Sequence, residues 1–218
     1  MAANANIIEE IIPKVISNSP DSIIIICTNP TEPLTHLALR LSKFPRNRIF
    51  GLSGVTDGAR LSSFIAAELN VSVQDISACI LGQHGREMVV IPRFTTLCGI
   101  PITELLPPDT ISRLIQRTIR GGWEINDLIK ENHAWSIYTP SASLAQMVEA
   151  IILDRKKIMS CATYLQGEYG IEDAVIGVPV KLGGNGIEQV IELKLTADEK
   201  SALAKSVKMI QGIVSNIK

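Results

Sequence analysis

The sequence lacks three features that would assign it quickly to a class of protein. It has no basic excess, because 21 Lys and Arg residues against 22 Asp and Glu leave a formal net charge of −1, which argues against a nucleic-acid binder. It has no run of about 18 uncharged apolar residues, so we expect no membrane span. What remains, 46% hydrophobic and 20% charged residues, is typical of a soluble globular protein with a sizeable core.

The third missing feature is a metal or redox cysteine motif. No two of Cys27, Cys79, Cys98 and Cys161 form a Cys-x-x-Cys pair, so zinc and redox motifs are not expected. Each lies among apolar neighbours, which predicts a buried, reduced thiol and favours a cytoplasmic protein. The first residues, MAANANIIEEII, carry acids and no basic segment, so they do not resemble a signal peptide.

The first fifty residues show the pattern of a parallel sheet. Apolar residues recur with helical spacing over 4–18, which predicts an amphipathic helix. Four isoleucines within 22–27, bounded by turn residues, predict a strand buried on both faces. Residues 33–43 predict a helix and 48–52 a second strand, which completes a β-α-β unit. We interpret this region as the end of a doubly wound α/β domain.

From about residue 56 the pattern changes to helices and antiparallel strands. Helices are predicted over 57–69, 109–119, 140–165 and 197–217, and strands over 76–81, 88–92, 174–182 and 189–193. The cluster GGNG at 183–186 predicts a hairpin turn, and Thr196 with Glu199 predicts a capping box. This second part is therefore α+β. We expect two regions, 1–55 and 56–218.

Three residue types in this pattern suggest chemistry. His36 and His133 are most simply ordinary surface or core histidines. His84 differs, because it lies in GQHG at 82–85, where glycines let the main chain approach a ligand closely. These residues alone leave a functional and a structural role for His84 equally open. Asp57 and Arg60 share one face of a helix start, where a cap and a solvated charge are the simplest interpretations.

Several segments together resemble the lactate/malate dehydrogenase family. GVTDGAR (54–60) and LGQHG (81–85) are similar to its catalytic signature, and TNP (28–30) falls where the family has a strand-end asparagine. The resemblance continues in PRFTTLCGIPITELL (92–106), YTPSASLAQMVEAII (138–152) and GEYGIEDAVIGVPVKLGGNGIEQVIEL (167–193), and it covers essentially the whole chain. The last segment and the stretch 140–143 are more like the malate branch than the lactate branch.

The resemblance implies a fold and a set of catalytic roles. The fold would be the C-terminal remnant of a doubly wound (Rossmann) domain, residues 1–55, followed by an α+β catalytic domain. His84 would be the general acid/base, which suits an imidazole because its pKa lies near neutral pH. Asp57 would accept a hydrogen bond from the other ring nitrogen. Arg60 would bind the substrate carboxylate with its planar guanidinium.

The resemblance also implies a cofactor, a substrate and partners. Asn29 would bond the substrate oxygen and, with Thr28, lie near the nicotinamide of NAD at the end of a parallel strand. Ser136 would lie near the substrate. The reaction would be reversible hydride transfer between malate or oxaloacetate and NAD. Family members are dimers or tetramers, so we expect a homo-oligomer built through the helices at 57–69 and 140–165.

The sequence departs from the family pattern in two places. After His84-Gly85 the family commonly has an acidic residue, and here Arg86 stands there, either attracting a dicarboxylate or simply solvated. The family's first strands, Gly-rich phosphate loop, acidic ribose-binding residue and mobile substrate loop have no counterpart in these 218 residues. We therefore expect the strand at 22–27 to lie at a sheet edge, and the chain alone to bind NAD weakly or not at all.

Two other functions remain open at this point. The chain could be a catalytically silent remnant that acts as an oligomerisation module. It could instead be a lactate dehydrogenase or another 2-hydroxy-acid dehydrogenase, because the loop that separates these substrates in the family has no counterpart here.

Overall fold

The computed structural model of the protein describes residues 2–129 and 137–216. The helices are α1 (Ala2–Asn18), α2 (Thr31–Ser42), α3 (Gly54–Leu69), α4 (Ile102–Leu105), α5 (Pro108–Ile129), α6 (Tyr138–Ile152) and α7 (Ala197–Val214). The strands are β1 (Ile24–Ile26), β2 (Ile49–Leu52), β3 (Ile76–Ser77), β4 (Ile80–Gly82), β5 (Met88–Val90), β6 (Thr96–Leu97), β7 (Ile100–Pro101), β8 (Lys157–Gln166), β9 (Glu172–Gly183) and β10 (Gly186–Val190). The predicted β-α-β unit followed by an α+β region is confirmed.

One sheet connects the two regions. Its strands lie in the order β1-β2-β8-β9-β4-β5, and β10 pairs with β9. β1 and β2 are parallel, with Ile24 opposite Ile49, whereas β2 and β8 are antiparallel, with Gly51 opposite Ala162. The other pairs in this sheet are antiparallel. The antiparallel strands of the second region therefore extend the sheet that the parallel unit begins.

β1 is shorter and less buried than predicted. It covers Ile24–Ile26 rather than 22–27, and only its last residue is buried. Burial on both faces was a wrong prediction, because β1 is the last strand of the sheet and pairs with β2 alone among the described strands. Ile26 packs with Ile8 of α1 and Leu34 of α2, so helices cover one face of this edge.

The prediction of one long helix over 140–165 is wrong. α6 ends at Ile152, and the chain turns through Asp154 and Lys156, whose φ angles of 47° and 54° lie in the left-handed region. β8 then runs between β2 and β9 and buries Ala162. The small side chain of Ala162, opposite Gly51 of β2 and Gly177 of β9, suits this central position in the sheet. Sheet pairing thus overrides the helix preference predicted for this part of the segment.

The last part of the chain follows the sequence pattern. β9 and β10 form the predicted hairpin, with Gly183 opposite Gly186. The side chain of Thr196 accepts from the main-chain N–H of Glu199, whose carboxylate accepts from the N–H of Thr196, so the predicted capping box begins α7. The hairpin and α7 pack around β8 and β9, where the largest cluster of buried apolar side chains lies.

The cysteines are less uniformly buried than predicted. Cys161 on β8 is buried, and burial raises the pKa of its thiol to about 12. Cys27 and Cys98 are exposed, because Cys27 ends the edge strand and Cys98 lies in the turn between β6 and β7. All four are free thiols. Within residues 2–129 and 137–216, no helix combines the length and the hydropathy that crossing a bilayer requires.

Candidate active site

The centre of the site is the turn that joins β4 to β5. The predicted pair of apolar strands is an antiparallel hairpin with Ile80 opposite Val90 and Gly82 opposite Met88. Gly82 and Gly85 in the turn have φ angles of 89° and 125°, which side chains other than hydrogen rarely allow. The turn therefore presents His84 just beyond the end of β4, with its side chain largely buried.

His84 and Asp57 form a hydrogen-bonded pair. The Nδ1 atom of His84 lies 2.8 Å from the Oδ2 atom of Asp57, although the residues are 27 positions apart. The Asp57 side chain is 1% exposed and that of His84 is 19% exposed. Asp57 lies in the first turn of α3, which begins directly after β2. A buried carboxylate on Nδ1 favours the tautomer whose Nε2 can exchange a proton with a ligand.

The charges around His84 raise the pKa of its imidazole. Burial alone lowers this pKa, because it disfavours the charged ring. The hydrogen bond to Asp57, the charge of Asp57 and the charge of Glu32 act in the opposite direction, and Arg60 opposes them weakly. The net effect is a pKa above the ordinary value of 6.5. The ring therefore holds a proton more readily than an imidazole with an unshifted pKa does.

Arg60 completes the group. Its Nη1 donates to Oδ1 of Asp57 at 3.2 Å, so the two oxygens of that carboxylate join Arg60 and His84. A Cβ added at Gly121 of α5 would lie 3.2 Å from Cδ of Arg60, so the absence of a side chain there leaves room for the arginine. Arg60 Nε is buried without a hydrogen-bond partner among the described residues. Such a buried cation beside a cavity suits an anionic ligand.

A cavity of about 640 Å³ opens beside this group. His84 and Arg60 line it from one side, and Asn29, after β1, lines it from another. The carboxyl ends of β1 and β2 therefore meet His84 at one opening, as the strand-end position of TNP predicts. Further lining comes from Cys27, Pro30, Thr31, Leu52, Thr56, Gly85, Met88, Ile119, Gly122, Trp123 and Pro140.

The structure brings together most, but not all, of the sequence-predicted site residues. Asn29 is exposed at the mouth, and its Oδ1 accepts from the Thr31 hydroxyl at 3.2 Å. Thr28 is exposed at the same strand end. Ser136 lies outside the described residues, and so does His133. His36 is a largely buried histidine of α2 whose ring meets Tyr164 edge-on, which fits the ordinary role predicted for it.

One buried carboxylate at the site was not identified from the sequence. Glu32, in the first turn of α2, is 0% exposed and accepts hydrogen bonds from the main-chain N–H of His84 at 2.7 Å and the Ser53 hydroxyl at 2.8 Å. The available signal was an acidic residue in a first helical turn, which normally indicates a solvated dipole partner. Nothing local in the sequence shows that it contacts a residue 52 positions away.

Arg86 and Trp123 stand at the same side of the site. Arg86 is exposed, and its guanidinium carbon lies 5.3 Å from the centre of the Trp123 ring. Trp123 lines the cavity and is 48% exposed. The residue that departs from the family pattern therefore contacts an aromatic wall of the cavity.

The residues of this chain fit the nicotinamide end of the cofactor, but they do not fit its phosphates. Thr56 lines the cavity with a buried hydroxyl that has no partner among the described residues, and the neighbouring strand ends suit a flat polar ring. No glycine-rich phosphate loop exists in the chain, since GGNG at 183–186 is the β9–β10 hairpin. No three His, Cys, Asp or Glu side chains of the described part converge as metal ligands would.

Fold and site together define an α/β protein with a buried imidazole–carboxylate pair and an arginine facing a ligand cavity at the strand ends of its sheet. Residues 1–51 match the family model described as the lactate/malate dehydrogenase NAD binding domain, and residues 55–218 match that of the alpha/beta C-terminal domain. The chain belongs to the lactate/malate dehydrogenase family.

Named relatives narrow the comparison. Malate dehydrogenase from Geobacillus thermodenitrificans is 45% identical over 214 residues, which cover 98% of this chain and 68% of that protein. Malate dehydrogenase from Roseiflexus castenholzii is 46% identical over 99% of this chain and 69% of its own length. This chain therefore spans about two thirds of the length of these relatives.

Solved structures agree with the sequence comparison. Malate dehydrogenase from Salinibacter ruber superposes with a TM-score of 0.94 at 45% identity, covering 98% of this chain and 69% of that one. Malate dehydrogenase from Plasmodium falciparum in complex with NADH gives 0.93 at 28% identity, covering 98% and 71%. The fold is thus that of malate dehydrogenases over nearly all of this chain.

Proposed function

We propose that this chain carries the catalytic portion of an NAD-dependent malate dehydrogenase, which transfers hydride reversibly between malate or oxaloacetate and NAD. The observation that carries the proposal is the position of Asp57, whose two oxygens hold His84 at 2.8 Å and Arg60 at 3.2 Å beside one cavity. Malate dehydrogenase relatives at 45% identity support the same assignment.

His84 moves the proton in the proposed reaction. During malate oxidation its Nε2 accepts the proton of the C2 hydroxyl, and Asp57 stabilises the imidazolium that results. During oxaloacetate reduction the same proton returns to the carbonyl oxygen. NAD, when bound, supplies the acceptor or donor of the hydride at C2. The raised pKa of His84 favours the imidazolium that the reduction needs.

Arg60 and Asn29 bind and orient the substrate in this scheme. Arg60 lines the cavity, and in this scheme its planar guanidinium binds the C1 carboxylate in a bidentate manner, which a lysine could not do. Asn29 donates its amide to the substrate oxygen and, with Thr28, holds the nicotinamide end of NAD. Ser136 is proposed to lie at the substrate side, from the family resemblance alone.

The assignment extends to organisation. We keep the division at residues 55 and 56 into a cofactor region and a catalytic region. We also propose a cytoplasmic location. We further propose a homo-oligomer, because α6 exposes Tyr138 (87%) and Ile152 (73%), and such side chains favour contact with another subunit. Light scattering of the purified chain tests the oligomer, and a monomer at micromolar concentration would contradict it.

The decisive experiment measures NADH absorbance with oxaloacetate. The chain is assayed alone and as a fusion that places the first third of the Geobacillus relative in front of it, because this chain spans only two thirds of that protein. We expect turnover by the fusion, weak or no NAD binding by the chain alone in calorimetry, and loss of turnover by His84→Asn in the fusion.

The same assay separates malate dehydrogenase from the two alternatives, a lactate dehydrogenase and a silent oligomerisation module. Pyruvate in place of oxaloacetate tests for a lactate dehydrogenase, and faster turnover of pyruvate would reassign the substrate. A fusion that binds NADH but turns over neither acid would favour a silent oligomerisation module. His36→Asn is the matched control, since His36 lies away from the cavity lining and should leave the rate unchanged.

A further inference from the structure

Glu32 is a fully buried acid whose position requires a reason. It is 0% exposed in the first turn of α2, and no arginine or lysine of the described residues forms an ion pair with it. Burying a carboxylate without a cation is unfavourable unless hydrogen bonds satisfy it. Burial accordingly raises the pKa of Glu32, against the opposing effect of its hydrogen bonds.

The hydrogen bonds of Glu32 all lie on one oxygen. Oε1 accepts from the main-chain N–H of His84 at 2.7 Å and from the hydroxyl of Ser53 at 2.8 Å. Oε2 is buried and has no partner among the described residues. One atom of Glu32 therefore connects α2, the residue that precedes α3, and the β4–β5 turn.

The neighbouring residue in that turn is held in the same way from another helix. The main-chain N–H of Gln83 donates to the hydroxyl of Ser206 on α7 at 2.8 Å. Consecutive N–H groups of a turn with two positive-φ glycines thus depend on two side chains for their hydrogen bonds. Of these, only Glu32 can carry a charge close to the imidazole.

The charged groups around His84 come from three elements. α3 supplies Asp57 and Arg60, α2 supplies Glu32, and the turn itself supplies Arg86 and Glu87. Glu87 is paired with Lys205 of α7 at 2.9 Å. Glu32 is thus the second carboxylate that acts on His84, from the main-chain side of the residue rather than from the ring.

We propose that Glu32 is a positioning residue for the proposed reaction, which holds the main chain of His84 in place and adds negative charge next to its imidazole. The proposal rests on His84 being the acid/base of the proposed function. It assigns two carboxylates to one histidine: Asp57 orients the ring, and Glu32 fixes the backbone that carries it.

The test is an NMR titration of the histidine rings in the full chain, which needs neither NAD nor turnover. The chain has three histidines, so His84→Asn assigns the signal of His84. Glu32→Gln keeps an oxygen that can accept both hydrogen bonds and removes the charge. We expect a lower His84 pKa in Glu32→Gln, while His36 keeps its midpoint. Glu104→Gln, at an exposed site on α4, is the matched control and should move neither.

Two further measurements cover positioning and failure to fold. In Glu32→Ala the His84 amide loses its acceptor, so its hydrogen exchange should accelerate relative to that of buried Ile176. If the variants do not fold, the wild-type chain labelled with ¹³C in its glutamate carboxyls suffices, because the carboxyl shift of Glu32 shows directly whether it is ionised while His84 titrates.

An unchanged His84 pKa in folded Glu32→Gln, or a Glu32 carboxyl that stays neutral throughout the His84 titration, overturns the proposed charge effect. Unchanged exchange of the His84 amide in folded Glu32→Ala overturns the positioning role. Either result leaves the proposed function standing, since the assay with oxaloacetate decides that separately.

Discussion

The wall of the cavity that carries His84, Asp57 and Arg60 is buried and held by α2, α3 and α7, whereas the wall at Thr28 and Asn29 is exposed at the end of an edge strand. The first wall comes from elements that pack around the centre of the sheet. The second comes from β1, which has three residues and one strand partner among those described. The groups proposed to move the proton are therefore held by packed elements, whereas the groups proposed to contact the cofactor stand at an exposed strand end.

The largest loss of activity should come from a substitution in the buried wall of the cavity. Asp57→Asn replaces the acceptor of His84 Nδ1 with a group that also donates, so the ring loses its orientation and tautomer. We expect kcat of the fusion to fall by about 10²- to 10⁴-fold. Asp75→Asn, at an exposed position, is the control and should leave kcat unchanged. A loss smaller than tenfold for Asp57→Asn would place the acid/base elsewhere.

Stability should show the same contrast between centre and edge. Ile176→Ala in β9 truncates a side chain that is 0% exposed, and we expect a loss of about 2–5 kcal/mol in the free energy of unfolding. Ile24→Ala in β1 truncates a partly exposed side chain and should cost about 1 kcal/mol. Urea unfolding of both variants measures the difference. Equal losses would show that the edge is packed as firmly as the centre.

The pH dependence should be opposite for the two directions of the reaction. Reduction needs the protonated ring, so its rate should fall about tenfold per pH unit above the His84 pKa. Oxidation needs the neutral ring and should fall about tenfold per unit below that pKa. Because the pKa of His84 is raised, the midpoint of each pH–rate profile should lie above pH 6.5. Rates of the fusion between pH 5 and 10 measure this.

Folding stability should respond to the same ionisation. A raised pKa means that protonated His84 stabilises the folded chain fully below pH 6.5 and that this contribution is lost as pH rises through the folded-state pKa. His84→Asn should remove this slope from the pH dependence of urea unfolding. A slope that persists in His84→Asn would assign it to another group.

The smallest effect on activity should come from a substitution at the mouth of the cavity. Arg86 is exposed and stacks on Trp123, so it acts on an incoming dicarboxylate through solvent. Arg86→Ala should raise KM for oxaloacetate by about two- to threefold at low ionic strength, and by less at 0.15 M salt. Arg120→Ala on α5 is a matched control for loss of one positive charge. A salt-independent change in KM would mean direct contact with the substrate.

The sequence by itself determined the family, the β-α-β start, the β9–β10 hairpin, the capping box and the histidine turn. These features are local: they depend on residue spacing, glycine backbone freedom and a motif such as LGQHG, all visible within a few positions. His84, Asp57 and Arg60 were proposed from the resemblance of several segments to one family, because the residues alone left structural roles open; the structure brings the three side chains together.

Only the tertiary structure decided the strand identity of 157–166, the exposure of Cys27 and Cys98, and the contact of Glu32 with His84. A small residue such as Ala162 packs equally well in a helix and between strands, and here its segment pairs with β2 on one side and β9 on the other. The burial of a side chain such as Cys27 or Cys98 depends on which other elements of the fold pack against it. No local pattern encodes a hydrogen bond across 52 residues, and that bond is what joins the two carboxylates of the site around one histidine.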